Sequence, residues 1–119
     1  MEAILNIYAY NDDGELEIKK TYKCYMLIYD VQKKIDVYSE EINKLDNKRL
    51  EELKKTDPDM ALVQKLVDDS FECQLNILRA IFPKFQDEEF NGINPEEYLD
   101  FMETLGKERK RIFDRASKN

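Results

Sequence analysis

Apolar residues recur at helical spacing in three segments of the chain. The widest apolar arc belongs to residues 60–82, where at 3.6 residues per turn the polar side chains gather into one narrow strip. The remaining positions cover about 220° of the helix circumference, whereas a surface helix needs an apolar arc of only roughly 100°. This width predicts a central helix that packs on two sides. Ser70 and Gln74 lie inside the arc, where we expect them to bond to the backbone or to a partner side chain.

The first 25 residues have a different period. Residues 3–10 are rich in β-branched and aromatic side chains, and residues 15–25 alternate between apolar and charged positions. The sequence NDDG at 11–14 separates them and is a strong turn signal, because Asn, Asp and Gly tolerate positive φ. We predict a β-hairpin whose second strand turns Leu16 and Ile18, together with Tyr22 and Cys24, to one apolar face. A lone hairpin is marginal in water, so that face must lie on helices.

Two further helices flank the central one. Residues 27–55 carry a narrow heptad-like seam from Ile28 to Leu45 between many charges, which suits contact with one neighbour or with a second copy. Asp57 is the predicted N-cap of the central helix, with Pro58 at its first position. Pro83 ends the central helix, and KFQDEEF predicts a short turn anchored by Phe85 and Phe90.

The clearest helix start in the chain is NGINPEE. Asn94 is the predicted cap, Pro95 opens the last helix, and Glu97 stands at the spacing of a capping box. Together these elements predict an α+β fold, in which an N-terminal hairpin packs on a bundle of about three main helices plus one short turn. We expect a single domain over residues 1–119, with the hairpin at 1–25, the charged helix at 27–55, the central helix at 58–82 and the C-terminal helix at 94–116.

Composition narrows the classes of partner. The chain has 119 residues, 38% of them charged, and a net charge of −7, which disfavours nucleic acid and anionic membranes as partners. No apolar run approaches the roughly 20 residues of a membrane span, and the N-terminus lacks the basic opening of a signal peptide, so we expect a cytoplasmic protein. Cys24 and Cys73 have no metal-binding spacing, and we expect both to be buried thiols.

The sequence offers little for catalysis. It contains no histidine, the commonest general base near neutral pH and the commonest zinc ligand. It has three glycines and no phosphate-binding loop motif. Its acidic clusters lack the spacing of a calcium-binding loop. We therefore predict a protein that is not an enzyme and needs no cofactor or metal.

Charge is distributed unevenly along the chain. Residues 107–119 carry a net charge of +4, which leaves −11 on the remainder. Cations suit a helix C-terminus and keep the last turn soluble, and they also suit docking of an acidic partner or of another copy. Both interpretations stay open. The cationic side chains of this segment are Lys107, Arg109, Lys110, Arg111, Arg115 and Lys118.

The order of these elements resembles a known family. A short hairpin ending in TYKCY is followed by a charged helix and by the closing pattern LNILRAIFPKFQDEEFNGINPEEYLDFM at 75–102. In that pattern an apolar helix ends in Phe-Pro, an acidic turn follows, and N-P-E-E opens the last helix. The chain looks like the small tail assembly chaperones of long-tailed, siphovirus-type phages and prophages of low-GC Gram-positive bacteria. The long charged helix at 27–55 departs from the less polar early helix expected of that family.

The resemblance implies a non-enzymatic protein of the bacterial host cytoplasm. Such chaperones bind the tape measure protein, a long and largely helical chain, before the tail tube forms around it. They help to recruit tail tube subunits and are absent from the finished virion. Many are also made in a longer form by a translational frameshift.

A helical client needs an apolar surface, and the last helix has an apolar arc of roughly 160° beside the wide arc of the central helix. We expect a groove bordered by these two helices, unless both arcs are used up in the core of the chain itself. The candidate partner-binding residues are Tyr98, Phe101, Met102, Arg109, Ile112 and Phe113.

Two other classes fit the same features. One is a structural head or tail completion protein that assembles into a ring, and the other is an acidic regulatory protein that binds a host enzyme. A ring former should sediment as a large stable oligomer by itself, and an acidic regulator should bind in a strongly salt-sensitive way. A chaperone should be monomeric or weakly self-associated until its client is present.

Overall fold

The computed structural model describes residues 1–117. It confirms the predicted α+β fold, with an N-terminal antiparallel hairpin, three long helices and one short turn. The long helix that follows the hairpin is continuous through Asp46 and Asn47. In chain order the elements are strand β1 (Ala3–Tyr10), strand β2 (Leu16–Cys24), helix α1 (Tyr29–Leu53), helix α2 (Met60–Ile81), a 3-10 helix (Asp87–Gly92) and helix α3 (Pro95–Ser117).

These elements form two compact units. The first consists of Met1–Ile28 together with the chain from Gln86 onward, and the second is the helical hairpin Tyr29–Phe85. In the first unit, β1 contacts β2, α3 and the 3-10 helix; in the second, α1 packs on α2. Within residues 1–117, no helix combines the length and apolarity that crossing a membrane requires.

A β-bulge divides strand β2 into two segments. The even-numbered side chains of β2 lie on one face of the hairpin before the bulge and on the other face after it. On the side near the chain terminus, Leu5 lies opposite Tyr22, whereas beyond the bulge Tyr8 lies opposite Ile18. Lys19 is the extra residue that has no opposite partner. Because residues opposite each other share a face, the even positions of β2 change faces at Lys19.

This change of face corrects the prediction for β2. Tyr22 and Cys24 are buried as expected, but Leu16 and Ile18 are 59% and 52% exposed. The predicted single apolar face is therefore wrong for the half of the hairpin next to the turn. Strict alternation cannot continue through a bulge, since the extra residue shifts every later side chain to the other face.

The unit formed by α1 and α2 has its own apolar core. Leu45 of α1 lies against Leu66 and Cys73 of α2, and Tyr38 and Ile42 pack on this cluster. The heptad-like seam of α1 is thus used within the chain. As predicted, α2 is the most buried helix, with seven buried residues against three in α1 and two in α3.

Polar groups in this part of the chain are matched to partners. The buried Ser70 hydroxyl donates to Asp46 Oδ1 at 3.5 Å, which accounts for a polar residue in the apolar arc of α2.

Cys24 and Cys73 are free, buried thiols, as predicted, and burial raises the pKa of each.

The connection between α1 and α2 is held by a buried carboxylate. Glu52 is only 6% exposed, and its carboxylate accepts a hydrogen bond from the backbone N–H of Asp59 at 2.9 Å. The same carboxylate forms an ion pair with the Lys55 ammonium at 2.7 Å. The N-cap of α2 is Asp59, whose carboxylate accepts the Leu62 N–H, so the predictions that Asp57 caps this helix and that Pro58 is its first residue are both wrong. Both aspartates have suitable chemistry, and the bond from Glu52 favours the later one.

Truncating the core of α2 should be costly. We expect Leu66→Ala and Leu78→Ala each to lower the free energy of unfolding by about 2–5 kcal/mol, because each removes a buried side chain and leaves a cavity. Urea unfolding measures the change, with Met60→Ala, at a 60% exposed position of the same helix, as the control. Unaltered midpoints for both leucine variants would show that α2 is not the buried helix of this fold.

Candidate functional site

Helix α3 is positioned by its first turn. Asn94 Oδ1 accepts the backbone N–H groups of Glu96 and Glu97 at 2.9 and 3.1 Å, which confirms the predicted cap. The Glu97 side chain extends to β1, where it accepts the Asn6 amide at 3.0 Å and the Tyr8 hydroxyl at 2.6 Å. The bond to Glu97 raises the pKa of Tyr8. Glu97 therefore ties the helix to the hairpin across a long interval of sequence.

The six predicted partner residues do not share one environment. Phe101 is 2% exposed and belongs to the core with Leu105, so the expectation that it contributes to an accessible surface is not met. Tyr98 is half-buried, stacks edge-on against Phe90, and its pKa is raised by burial to about 12. Met102, Arg109 and Ile112 are half-buried, and Phe113 is 70% exposed.

Five residues form a narrow stripe along α3. Starting at Leu99, positions 3, 7, 10 and 14 residues further on fall on the same side of a helix. Leu99 is 66% exposed, and burial lowers the pKa of Arg109, which stays cationic at neutral pH. The "α3 stripe" consists of Leu99, Met102, Gly106, Arg109 and Phe113.

Packing among the described residues does not require a glycine at position 106, the centre of the α3 stripe. A Cβ built there meets no atom within 4 Å. A glycine inside a helix costs about 0.5–1 kcal/mol relative to alanine. Because Gly106 has no side chain, the backbone of α3 is accessible there between two apolar stretches, and another backbone can approach it closely. α2 belongs to the other unit, so the groove expected between α2 and α3 stays a prediction.

A second glutamate holds the opposite face of the hairpin. Glu89 of the 3-10 helix accepts the Tyr22 hydroxyl at 2.7 Å and the Gln86 N–H at 2.8 Å, and it pairs with Lys20 at 3.6 Å. The Lys20 ammonium also lies 4.6 Å from the centre of the Tyr22 ring. Burial by itself would raise the pKa of Glu89, but the bonds from Tyr22 and Gln86 and the charge of Lys20 outweigh it, so the pKa is lowered.

A groove of about 990 Å³ opens between the hairpin and the chain that leads into α3. We call it the hairpin groove. Its walls are residues 7–10 of β1, Leu16, Lys19 and Lys20 of β2, and residues of the segment 86–95. Ile93 forms an isolated antiparallel bridge with Ile7 at one end of the groove. At the other end, Tyr10 is 75% exposed opposite Leu16.

The two surfaces present different chemical groups. Within residues 1–117, no group of three or more His, Cys, Asp or Glu side chains is placed to hold a metal ion. The α3 stripe offers apolar, sulfur and guanidinium groups, and the hairpin groove offers aromatic rings, ammonium groups and a strand edge. Both suit recognition of another polypeptide.

Sequence reasoning found part of this arrangement. It selected α3 and three of the five stripe positions, Met102, Arg109 and Phe113, but neither Leu99 nor Gly106. It did not find the hairpin groove, whose wall depends on the bulge at Lys19. The acidic run Asp87–Glu89 is a signal that points to this surface, because acidic side chains favour ion pairs with the lysines of strand β2.

No protein-family model, no curated protein and no solved structure matches this chain.

The lowered pKa of Glu89 predicts acid sensitivity of the first unit. A carboxyl group whose folded pKa lies below its ordinary value of 4.5 stabilises the fold above that value, and this contribution is lost as pH falls through the folded pKa. We expect Glu89→Gln to destabilise the protein at pH 7 and to have a progressively smaller effect below about pH 4.5. Urea unfolding at pH 7 and pH 3 measures the difference, with Glu88→Gln as the control for loss of charge. An effect that is equal at both pH values would contradict this stabilising role of the Glu89 carboxylate.

Two glycine-to-alanine changes in the same unit should act in opposite directions. A Cβ on Gly92 would lie 2.4 Å from the Tyr8 carbonyl oxygen, so Gly92→Ala must push the loop off β1, at a cost of about 1–3 kcal/mol. Gly106→Ala meets no atom and should stabilise α3 by about 0.5–1 kcal/mol. Thermal and urea unfolding of the two variants test both signs. Equal effects would mean that the loop does not close on β1 at Gly92.

Proposed function

We propose that this protein is a tail assembly chaperone of a long-tailed phage or prophage and that it binds the tape measure protein in the host cytoplasm. The observation that carries the proposal is the α3 stripe, in which the apolar side chains of Leu99 and Phe113 are 66% and 70% exposed on a helix that buries Phe101 and Leu105 on another face. Exposed apolar side chains that lie along one side of a helix offer a surface to a partner.

The α3 stripe suits a helical client. An amphipathic helix binds a partner through side chains spaced by three and four residues, and the five positions of the α3 stripe follow each other at intervals of three, four, three and four. Methionine adapts its shape to different apolar partners, and a tape measure protein presents many similar but not identical helical segments. Gly106 lets the backbone of a client helix approach without a steric obstacle.

Charge supports the same function. The last part of α3 is basic while the rest of the chain is acidic, so a client helix with acidic residues beside its apolar face is attracted to the stripe and held in one orientation. The order of elements that resembles the tail assembly chaperones supplies the identity of that client. A binding role of this kind requires no catalytic group, cofactor or metal.

The test is co-expression with the tape measure protein of the same phage or prophage. We expect the wild-type protein to keep the tape measure protein soluble and to co-purify with it. Phe113→Asp and Met102→Asp should each release it, because a charge in the apolar stripe cannot be desolvated without a partner. Soluble tape measure protein after centrifugation and the amount of complex on gel filtration are the measurements.

Two variants make the result interpretable. Val37→Asp places the same charge on another exposed apolar position, 63% accessible on α1, and should leave the complex intact. Phe101→Asp should unfold the first unit, which circular dichroism separates from a folded protein that no longer binds. If folded wild-type protein never binds the tape measure protein, the proposed function is wrong. If Phe113→Asp and Met102→Asp both bind normally, the client uses another surface.

A further inference from the structure

The loop that closes on β1 contains the one Asn-Gly pair of the chain, Asn91–Gly92. Asn91 is exposed and lines the hairpin groove, whereas Gly92 is half-buried against β1. A Cβ at position 92 would lie 2.4 Å from the Tyr8 carbonyl oxygen, so packing requires a glycine there. Packing thus places, directly after an exposed asparagine, the residue type that hinders attack on that asparagine least.

An Asn-Gly pair reacts with itself, because glycine has no side chain to shield its backbone nitrogen. The Gly92 nitrogen loses its proton to solvent and attacks Asn91 Cγ. The bond from Cγ to the side-chain nitrogen then breaks, ammonia leaves and a succinimide ring forms. Water opens the ring at either carbonyl: cleavage between the Gly92 nitrogen and Cγ gives aspartate, and cleavage between this nitrogen and the Asn91 main-chain carbonyl carbon gives isoaspartate. Water is the only reactant besides the chain.

The fold controls the first step of this reaction. Asp87–Gly92 is a 3-10 helix, whose geometry directs the Gly92 N–H to the Glu89 carbonyl three residues earlier. A helical ψ also holds the Gly92 nitrogen away from Asn91 Cγ. Attack therefore requires the last turn of the 3-10 helix to open. This turn is at a helix end, where fraying is common, and its closing bond from the Ile93 N–H is long, at 3.2 Å.

The products do not fit the closed loop as asparagine does. Isoaspartate adds one carbon to the main chain directly before Gly92, where the loop already approaches the Tyr8 carbonyl too closely for a Cβ. Both products add a carboxylate to a segment in which Glu88 and Glu89 line the same groove, and like charges repel. Conversion of Asn91 therefore favours the open loop.

We propose that Asn91–Gly92 is a site of spontaneous deamidation and that its conversion releases residues 91–93 from β1. The reaction is slow while the loop is closed and faster when it opens, and its products hold the loop open, so the change runs in one direction. The same segment leads into α3 through the Asn94 cap, and its release also loosens the start of that helix. The site does not depend on binding of a tape measure protein.

The test is incubation of the folded, full-length protein at pH 7 and at pH 9, followed by peptide mapping with mass spectrometry. We expect loss of the amide at Asn91 with formation of isoaspartate, and faster loss at pH 9, because the attacking nitrogen must give up its proton. Asn47 is exposed, is followed by lysine and should keep its amide as the internal control. Asp13–Gly14 forms the same ring without a change of mass, and mapping separates it from Asn91.

A matched pair of variants tests control by the fold. Glu89→Gln removes the carboxylate that accepts bonds from the Tyr22 hydroxyl and the Gln86 N–H, so the 3-10 helix should open more often and Asn91 should convert faster at pH 7. Glu88→Gln removes the neighbouring charge without those bonds and should change the rate much less. Equal rates in the two variants would contradict control by the 3-10 helix.

Release of the loop is measured by hydrogen exchange at the amides of β1 and of residues 91–93. Wild-type protein that has converted should exchange faster there than fresh protein. Asn91→Gln keeps an amide but needs a larger ring, so this variant should neither convert nor change its exchange during the same incubation. The proposal is overturned if folded wild-type protein keeps the Asn91 amide at pH 9. It is overturned equally if converted protein exchanges at β1 as slowly as fresh protein.

Discussion

The hairpin depends on carboxylates that the chain supplies much later in its sequence. Asn6 and Glu97 are 91 positions apart, and Tyr22 and Glu89 are 67 apart. A two-stranded hairpin alone is marginal in water, and each glutamate holds a different face of it. The 3-10 helix and the start of α3 are in turn positioned by these bonds. The hairpin groove exists only because the hairpin is held from both sides while its edge remains partly open.

Local signals explain what could be predicted from the sequence. The arc of α2, the Asn94 cap and the NDDG turn are each encoded within a few neighbouring residues, and each was found. The bulge at Lys19 is not encoded in this way. The parts of β2 on either side of it both alternate between apolar and charged residues, and only tertiary contacts decide where the register shifts. The same applies to Glu97. Its spacing suits a capping box, but a hydroxyl from the distant Tyr8 occupies its carboxylate instead.

The candidate site shows a different limit. An apolar arc of roughly 160° on α3 contains both core and accessible positions, and the pattern does not say where one ends. Phe101 and Phe113 are the same residue type on one helix, yet one is buried and the other is exposed. The difference arises because the buried residues of α3 end at Leu105. Which part of the arc stays exposed depends on the lengths of the neighbouring elements. The sequence of α3 does not contain that information.

The division of the first unit between the two ends of the sequence has a consequence during synthesis. A ribosome adds roughly 5–20 residues per second, so about 5–20 s pass between the emergence of Asn6 and that of Glu97. During that interval α1 and α2 can already pair, since their contacts are closer along the chain. The hairpin, in contrast, has to wait with its apolar face open to solvent. Until then the hairpin is an exposed apolar segment that cellular chaperones and proteases can reach.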